Sequence, residues 1–331
     1  MQRWKTAFRW VRRCSLVGFA VVAVAVGAGW FWERSQRAAF VEAGFTPAGR
    51  LVGAAGRELH VVSSGEGPPG VLLISGAGED LRTWHDLQPR LAEITRVVSY
   101  DRPGLGWSSD RADAPTIDSA IEDIQTLLAR PELFDAAPIL VGHSLGGVIA
   151  RQFAYRHPTQ ISGLVLLDAP PDKWPRLAST VEGTRIKLMS LLAAVGIMRW
   201  RFYADRPELR GDEALRQAHP SLRAWNGARR ELVLVLNGEP FEPPPNGLDS
   251  LPLIVFVANW EAPPMLRGML DEMNASKRLV AGESQRGRLI EVRSGHYIHQ
   301  EDPDTVVAEI AAMLDAAASD RPANPENGEY Y

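Results

Sequence analysis

The chain is poor in the residues that would commit it to several common functions. Its 331 residues include one cysteine, Cys14, at the edge of an N-terminal apolar stretch. The folded body can therefore hold no internal disulfide and no cysteine-based zinc site. No block of Lys and Arg interrupts the body and the formal net charge is -4, so nucleic acid, which needs a concentrated basic surface, is not an expected partner. No internal repeat is visible. The remainder, 45% hydrophobic and 23% charged, is ordinary globular material, long enough for one large domain with an inserted lobe.

One segment lacks charge altogether. Residues 15–32 carry no Asp, Glu, Lys or Arg, and as a helix they would span roughly 27 Å, close to the hydrocarbon thickness of a bilayer. Arg3, Lys5, Arg9, Arg12 and Arg13 precede this run and only Arg34 and Arg37 follow closely. The positive-inside rule makes residues 1–14 a basic cytoplasmic N-terminus, residues 15–32 a transmembrane anchor, and the rest extracytoplasmic, in the periplasm or on the outer face. Trp30, Phe31 and Trp32 end the run as an aromatic belt does, which favours a retained anchor. The opposing reading is a signal peptide cut after Ala23-Val24-Ala25 or Ala25-Val26-Gly27, which would release a secreted body.

A polar connector is expected over residues 33–48. The body then begins with two short strand-like runs joined through Ala54, Ala55 and Gly56, an opening hairpin. Next come apolar runs bounded by turns: Val71-Leu72-Leu73-Ile74, Val97-Val98-Ser99-Tyr100, Ile139-Leu140-Val141 and Leu164-Val165-Leu166-Leu167. They suit strands buried on both faces and alternate with helical patterns near residues 80–91, 117–128 and 145–156, as in a parallel α/β sheet with crossover helices. The alternation holds over 49–169 and fails over 170–247, which reads as an inserted helical lid. It resumes over 248–318, and residues 319–331 read as a disordered tail.

The chemistry gathers at strand ends. After Ile139-Leu140-Val141 comes Gly142-His143-Ser144-Leu145-Gly146, then a helical run, which is the nucleophile-elbow pattern in its required strand-to-helix setting. A serine hydroxyl needs a base to take its proton and a carboxylate to orient that base. His296, in Ser294-Gly295-His296 after the last strand pattern, is the expected base; His299 is its local rival, and His143 is expected to pack. For the acid, Glu261 follows the run Leu253-Ile254-Val255-Phe256-Val257-Ala258 and completes the order serine, acid, histidine. Asp168, just past Leu164-Val165-Leu166-Leu167, is the alternative. The oxyanion requires two preorganised N–H donors: Leu145 for one and Ala77, in Ser75-Gly76-Ala77-Gly78, for the other, with Gly78 as the alternative. No metal or cofactor is called for.

With the segment Tyr100-Asp101-Arg102-Pro103-Gly104-Leu105-Gly106-Trp107-Ser108, these motifs resemble the α/β-hydrolase superfamily over residues 50–316, lid excepted. The resemblance implies a cofactor-free serine hydrolase with a substrate pocket between core and lid. Two positions depart from it: Ser75 replaces a common histidine, and Ala258 replaces the glycine usual before the acid. Ser144 separates the chain from related epoxide hydrolases and haloalkane dehalogenases, whose nucleophile is aspartate.

The expected activity is cleavage of an ester-like bond through an acyl-enzyme, in the manner of a carboxylesterase or lipase acting on a small, apolar acyl substrate. The same triad serves aminopeptidases, thioesterases, carbon–carbon hydrolases and acyltransferases, and a third reading keeps the fold for ligand binding without turnover. Asp101 and Arg102 are expected to hold a loop. The apolar run 188–198 could line an acyl pocket, dip into the membrane beside the anchor, or pack on the core, the last being the ordinary use.

Overall fold

A computed structural model describes residues 2–45, 47–54, 56–110, 113–170, 176–208, 211–236, 243–259 and 264–319. The expected tail after residue 319 lies outside them. By internal contacts the chain forms two compact units, Met1–Thr46 with Thr184–Asn226, and Pro47–Gly183 with Gly227–Tyr331.

The larger unit is built on one sheet of eight strands: β1 (Arg50–Ala54), β2 (Arg57–Ser64), β3 (Val71–Ile74), β4 (Val97–Tyr100), β5 (Ile139–His143), β6 (Gly163–Leu167), β7 (Leu253–Ala258) and β8 (Gly287–Val292), in the order β1-β2-β4-β3-β5-β6-β7-β8. The expected hairpin is β1–β2, which joins antiparallel to β4, and every pairing from β4 through β8 is parallel. Strands β3 to β7 are buried at every residue, which is why their sequences are continuous apolar runs rather than alternating ones.

Period-two geometry divides those runs between two cores. Leu72, Ile74, Leu140, Leu164 and Val255 pack with Ile121, Ile124, Ile149 and Phe153, from the helices α3 (Ile117–Leu128) and α4 (Leu145–Arg156) defined below. Val71, Leu73, Val141, Val165 and Phe256 pack on the opposite face with Trp84, Leu87, Ile298 and Ile310.

In chain order the helices are α1 (Gln2–Glu42), α2 (Leu87–Ala92), α3, α4, α5 (Arg176–Ala194), α6 (Ile197–Asp205), α7 (Gly211–Leu236), α8 (Pro264–Ala281), α9 (Ile298–Glu301) and α10 (Pro303–Ser319). The helical pattern near 80–91 is split into a 3-10 turn at Leu81–Trp84, capped by Asp80, and α2.

The smaller unit changes two expectations. Helix α1 runs unbroken to Glu42, so residues 33–42 of the expected connector are helical; no glycine or proline interrupts them, and Arg37 bonds Glu33 one turn earlier at 3.0 Å. Over Ser15–Glu42 this helix is long and apolar enough to cross a membrane. Secondly, residues 184–226 of the expected lid form one compact unit with α1.

Within that unit, Gly29, Trp32, Glu33, Gln36, Ala39 and Phe40 make the partly or fully buried stripe of α1, at helical spacing, while the residues between them are exposed. Arg199 on α6 donates from Nε and Nη2 to the two Glu33 carboxylate oxygens at 2.7 and 3.0 Å. Glu33 is 2% exposed and Arg199 0%. Tyr203 meets Trp32 edge to face at 6.2 Å and donates its hydroxyl to Gln36 at 3.2 Å. The apolar run 188–198 is not wholly core material: Leu188, Leu191 and Ile197 are exposed.

Candidate active site

Ser144 stands between β5 and α4 with φ 51° and ψ -121°, a backbone conformation costly for a residue with a Cβ and held by its surroundings. Those surroundings demand glycine. A Cβ on Gly142 would run into the Gly146 carbonyl, and one on Gly146 into the Ile74 carbonyl. The turn lifts Ser144 out of the sheet, and its N–H bonds Leu167 O at 3.1 Å.

Because His143 pairs with Leu167 across β5 and β6, the next residues, Ser144 and Asp168, leave neighbouring strands side by side. Asp168 is 6% exposed and has φ 47°. Its Oδ2 lies 2.6 Å from His296 Nδ1, and its Oδ1 accepts from Lys277 Nζ at 2.6 Å and from Ala258 N at 3.1 Å. Burial opposes the charge, but the hydrogen bond from His296 and the Lys277 ammonium outweigh it, holding the carboxyl down at about 2. His296 follows β8 in a loop pinned by Gly295 N on Glu301 Oε2 at 2.6 Å, and its side chain remains accessible, at 45% exposure. Sequence order favours Glu261 as the acid partner, but this residue lies outside the described residues; the structure brings the alternative, Asp168, to the histidine.

The loop Ser75-Gly76-Ala77-Gly78 follows β3. Gly76 N donates to Glu79 Oε2 at 2.8 Å and Gly78 N to Glu231 Oε2 at 2.8 Å. Gly78, the alternative oxyanion donor, thus has its N–H engaged. The N–H groups of Ala77 and Leu145 have no hydrogen-bond partner among the described residues. Arg102 holds this loop: it donates to Ser75 O at 2.5 Å and Gly76 O at 2.6 Å, and it grips Glu231 through Nε at 2.7 Å and Nη2 at 2.9 Å. Asp101 has the expected loop-holding role as well, accepting from Leu81 N and Trp107 N at 2.8 and 2.9 Å. Ser75, in place of the family's histidine, accepts from Trp84 Nε1 at 2.9 Å.

His143 does more than pack. Its Nδ1 lies 3.0 Å from Glu79 Oε2 and its Nε2 3.0 Å from the His296 carbonyl. A carbonyl can only accept, so Nε2 carries a proton; a carboxylate facing Nδ1 calls for a second. Burial favours the neutral ring, yet the Glu79 charge and hydrogen bond prevail and raise the His143 pKa. The same pairing, against burial, takes Glu79 down to about 2. The two contacts favour the protonated ring and tie the loop after β3 to the loop that carries His296.

His299, the rival base, is fully buried against Trp84 and His143, with ring centroids 4.5 Å from each. Its Nε2 meets Thr83 Oγ1 at 2.9 Å, and burial beside the His143 charge drives its pKa down to about 3. Glu79, His143 and His299 place one potential metal-ligand atom each within 4.8 Å of one another, and His143 Nδ1 and Glu79 Oε2 are engaged with each other.

A family model described as "Alpha/beta hydrolase family" matches residues 71–309. The chain belongs to the alpha/beta hydrolase family. It is 34% identical over 160 residues to the lipase LipV of Mycobacterium tuberculosis, a match covering 47% of this chain and 54% of that protein. It is also 34% identical over 131 residues to a 2-hydroxymuconate semialdehyde hydrolase of a Pseudomonas species, covering 38% and 45%. The chain thus spans about half the length of these curated relatives. Among solved structures, a bacterial membrane phospholipase A is similar at a TM-score of 0.61 and 22% identity, covering 93% of this chain and 99% of that one; at this identity the likeness shows the fold.

Sequence reading did not single out Glu79, Lys277 or Glu231. Glu79 directly follows the glycine loop, a position from which it could have been suspected. Lys277 and Glu231 come from distant helices and carry no local signal.

Proposed function

We propose that this member of the alpha/beta hydrolase family is a membrane-anchored serine hydrolase that cleaves esters with apolar acyl groups. The observation that carries the reading is the 2.6 Å contact between Asp168 Oδ2 and His296 Nδ1, beside a serine on a strained elbow. In this reading His296 Nε2 takes the Ser144 hydroxyl proton as Oγ attacks the ester carbonyl carbon. The oxyanion receives the N–H groups of Leu145 and Ala77. Collapse expels the alcohol, which takes the proton from His296, and water activated by the same histidine then releases the acid from Ser144. Asp168 keeps His296 in the Nδ1–H tautomer and stabilises its cation.

The choice of an ester draws on the lipase among the curated relatives. The anchor is residues 15–32, with the N-terminus cytoplasmic and the body outside, on the basic flank before the apolar run.

The test is fluorophosphonate labelling and p-nitrophenyl ester turnover by the full chain in detergent micelles, beside Ser144→Ala and His296→Ala. Labelling and turnover are expected in the wild type and neither in Ser144→Ala. A folded wild type that takes no label and turns over no ester refutes the reading. For the topology, protease added to sealed spheroplasts should digest the body, and protection would refute the orientation.

A further inference from the structure

The contact between α1 and the two short helices beside it occurs at an unexpected level. The protein-facing stripe of α1 begins at Gly29, inside the charge-free run and about 4.5 Å of helix rise before its last residue, Trp32. What meets Gly29 is the turn between α5 and α6. A Cβ on Gly29 would strike the Val195 carbonyl, and a Cβ on Gly196 would stand 2.9 Å from Gly29 O and 3.0 Å from the Trp32 ring. Gly196 itself has φ 77°. The two backbones touch because neither carries a side chain there, the small-residue contact by which helices approach closely in lipid.

That turn has an apolar outer surface. Leu188 and Leu191, one helical turn apart on α5, are 50% and 60% exposed, and Ile197 and Trp200, one turn apart on α6, are 45% and 66% exposed. On α1 the exposed apolar surface continues through Trp30 and Phe31, at the level where the turn is held. Beneath this surface Arg199 is spent on Glu33 and Ser190 Oγ donates to Trp225 O at 2.8 Å, while the exposed Lys187 and Arg201 flank the patch with stems long enough to carry their charges to the headgroups. An apolar exterior over a satisfied polar interior is the arrangement expected of a surface whose solvent is not water.

We infer that the α5–α6 hairpin is seated in the outer leaflet of the bilayer, with Leu188, Leu191, Ile197 and Trp200 in contact with lipid acyl chains at the level of Gly29 to Trp32. This rests on residues 15–32 spanning the membrane. The occupant is lipid rather than a second copy of the chain because the patch is continuous with the lipid-facing side of α1 and lies at the depth where α1 leaves the hydrocarbon. Trp200 is suited to that boundary, where an indole has one apolar side and one wet side. The unit thus holds the membrane at two places, by a crossing helix and by a hairpin that enters one leaflet.

Spin labelling of the full chain in phosphatidylcholine–phosphatidylglycerol vesicles tests this. In a Cys14→Ser background, nitroxides are placed by Leu191→Cys and Trp200→Cys, with Val22→Cys as the mid-anchor reference and Glu122→Cys, on the exposed side of α3, as the aqueous one. The oxygen-to-nickel-chelate collision ratio at 191 and 200 should match that at 22 in sign and exceed that at 122 several-fold. Water-like ratios at 191 and 200 with a lipid-like ratio at 22 overturn the inference and leave the anchor standing. Shielding of 191 and 200 from both relaxing agents would mean that a second copy covers the patch, which also overturns it. A water-like ratio at 22 removes the anchor and the inference together. If either labelled variant loses ester turnover, Leu188→Cys or Ile197→Cys reports from the same surface.

Discussion

Lys277 Nζ lies 2.6 Å from the one Asp168 carboxylate oxygen that His296 does not contact. In the proposed reaction Asp168 faces two cations, one permanent and one that appears when His296 takes the serine proton. A buried carboxylate with a fixed partner keeps its charge and its orientation through the cycle.

Asp168→Asn should lower kcat by about 10⁴, because the amide cannot hold His296 in the required tautomer or stabilise its cation. Glu261→Gln should change kcat far less. Ester kinetics on both variants, with KM measured separately, decide between them; the larger loss at Glu261 would reassign the acid.

Lys277→Met should destabilise the protein in a pH-dependent way. The folded Asp168 carboxyl is depressed to about 2 from its ordinary 3.8, so its pairing contributes stability that is fully present above about pH 4 and is lost as pH falls toward 2. The whole shift corresponds to about 2 kcal/mol, and since the His296 hydrogen bond is its largest favourable cause and Lys277 the next, the variant removes only part of it. Thermal melts of wild type and variant should differ most at neutral pH and converge in acid; a constant difference would mean that Lys277 acts by packing alone.

Glu79→Gln should reduce kcat by up to about 10²-fold with little change in KM, since it loosens the tie between the oxyanion loop and the His296 carbonyl without touching substrate. The readout specific to the ion pair is nitrogen NMR of the histidines. The raised pKa of His143 gives stability that is present below 6.5 and lost as pH rises through the folded value. Wild type should show a doubly protonated His143 at neutral pH, and Glu79→Gln a neutral one. A neutral ring in the wild type would refute the pairing.

Arg102→Met should cost about 3–5 kcal/mol, because it strands Glu231, which is 4% exposed, without its cation. The double variant Arg102→Met with Glu231→Met should recover part of that stability but not the activity, since Ser75 O and Gly76 O stay unheld. Denaturation midpoints and ester turnover on the same samples separate the two effects.

The fold was legible because strands buried on both faces leave continuous apolar runs, and β3 to β7 do so. The elbow was legible because Gly142 and Gly146 answer a steric demand that is local in sequence. The acid was ambiguous because Asp168 and Glu261 both follow strands, and the partner of His296 depends on which strand end adjoins β5. That adjacency is a property of sheet order. His143 read as packing because Glu79 lies 64 residues away. The association of α1 with α5 and α6 left no periodic trace: a buried Arg199 is indistinguishable in sequence from a solvated one until Glu33 is found beside it.

The buried pair of Glu33 and Arg199 also bears on how the protein can be handled. A chain cut after the hydrophobic run to make it water-soluble, for instance at residue 44, would take Glu33 away with the anchor. It would leave a guanidinium enclosed without its counter-charge, and bare the surface against which Gly29 and Trp32 had rested. Insolubility or misfolding of such a fragment would say nothing about the intact enzyme, and weak activity in it would be a property of the cut. Residues 33–42 belong to the folded unit, and preparations that respect this must carry the helix whole, in detergent or lipid.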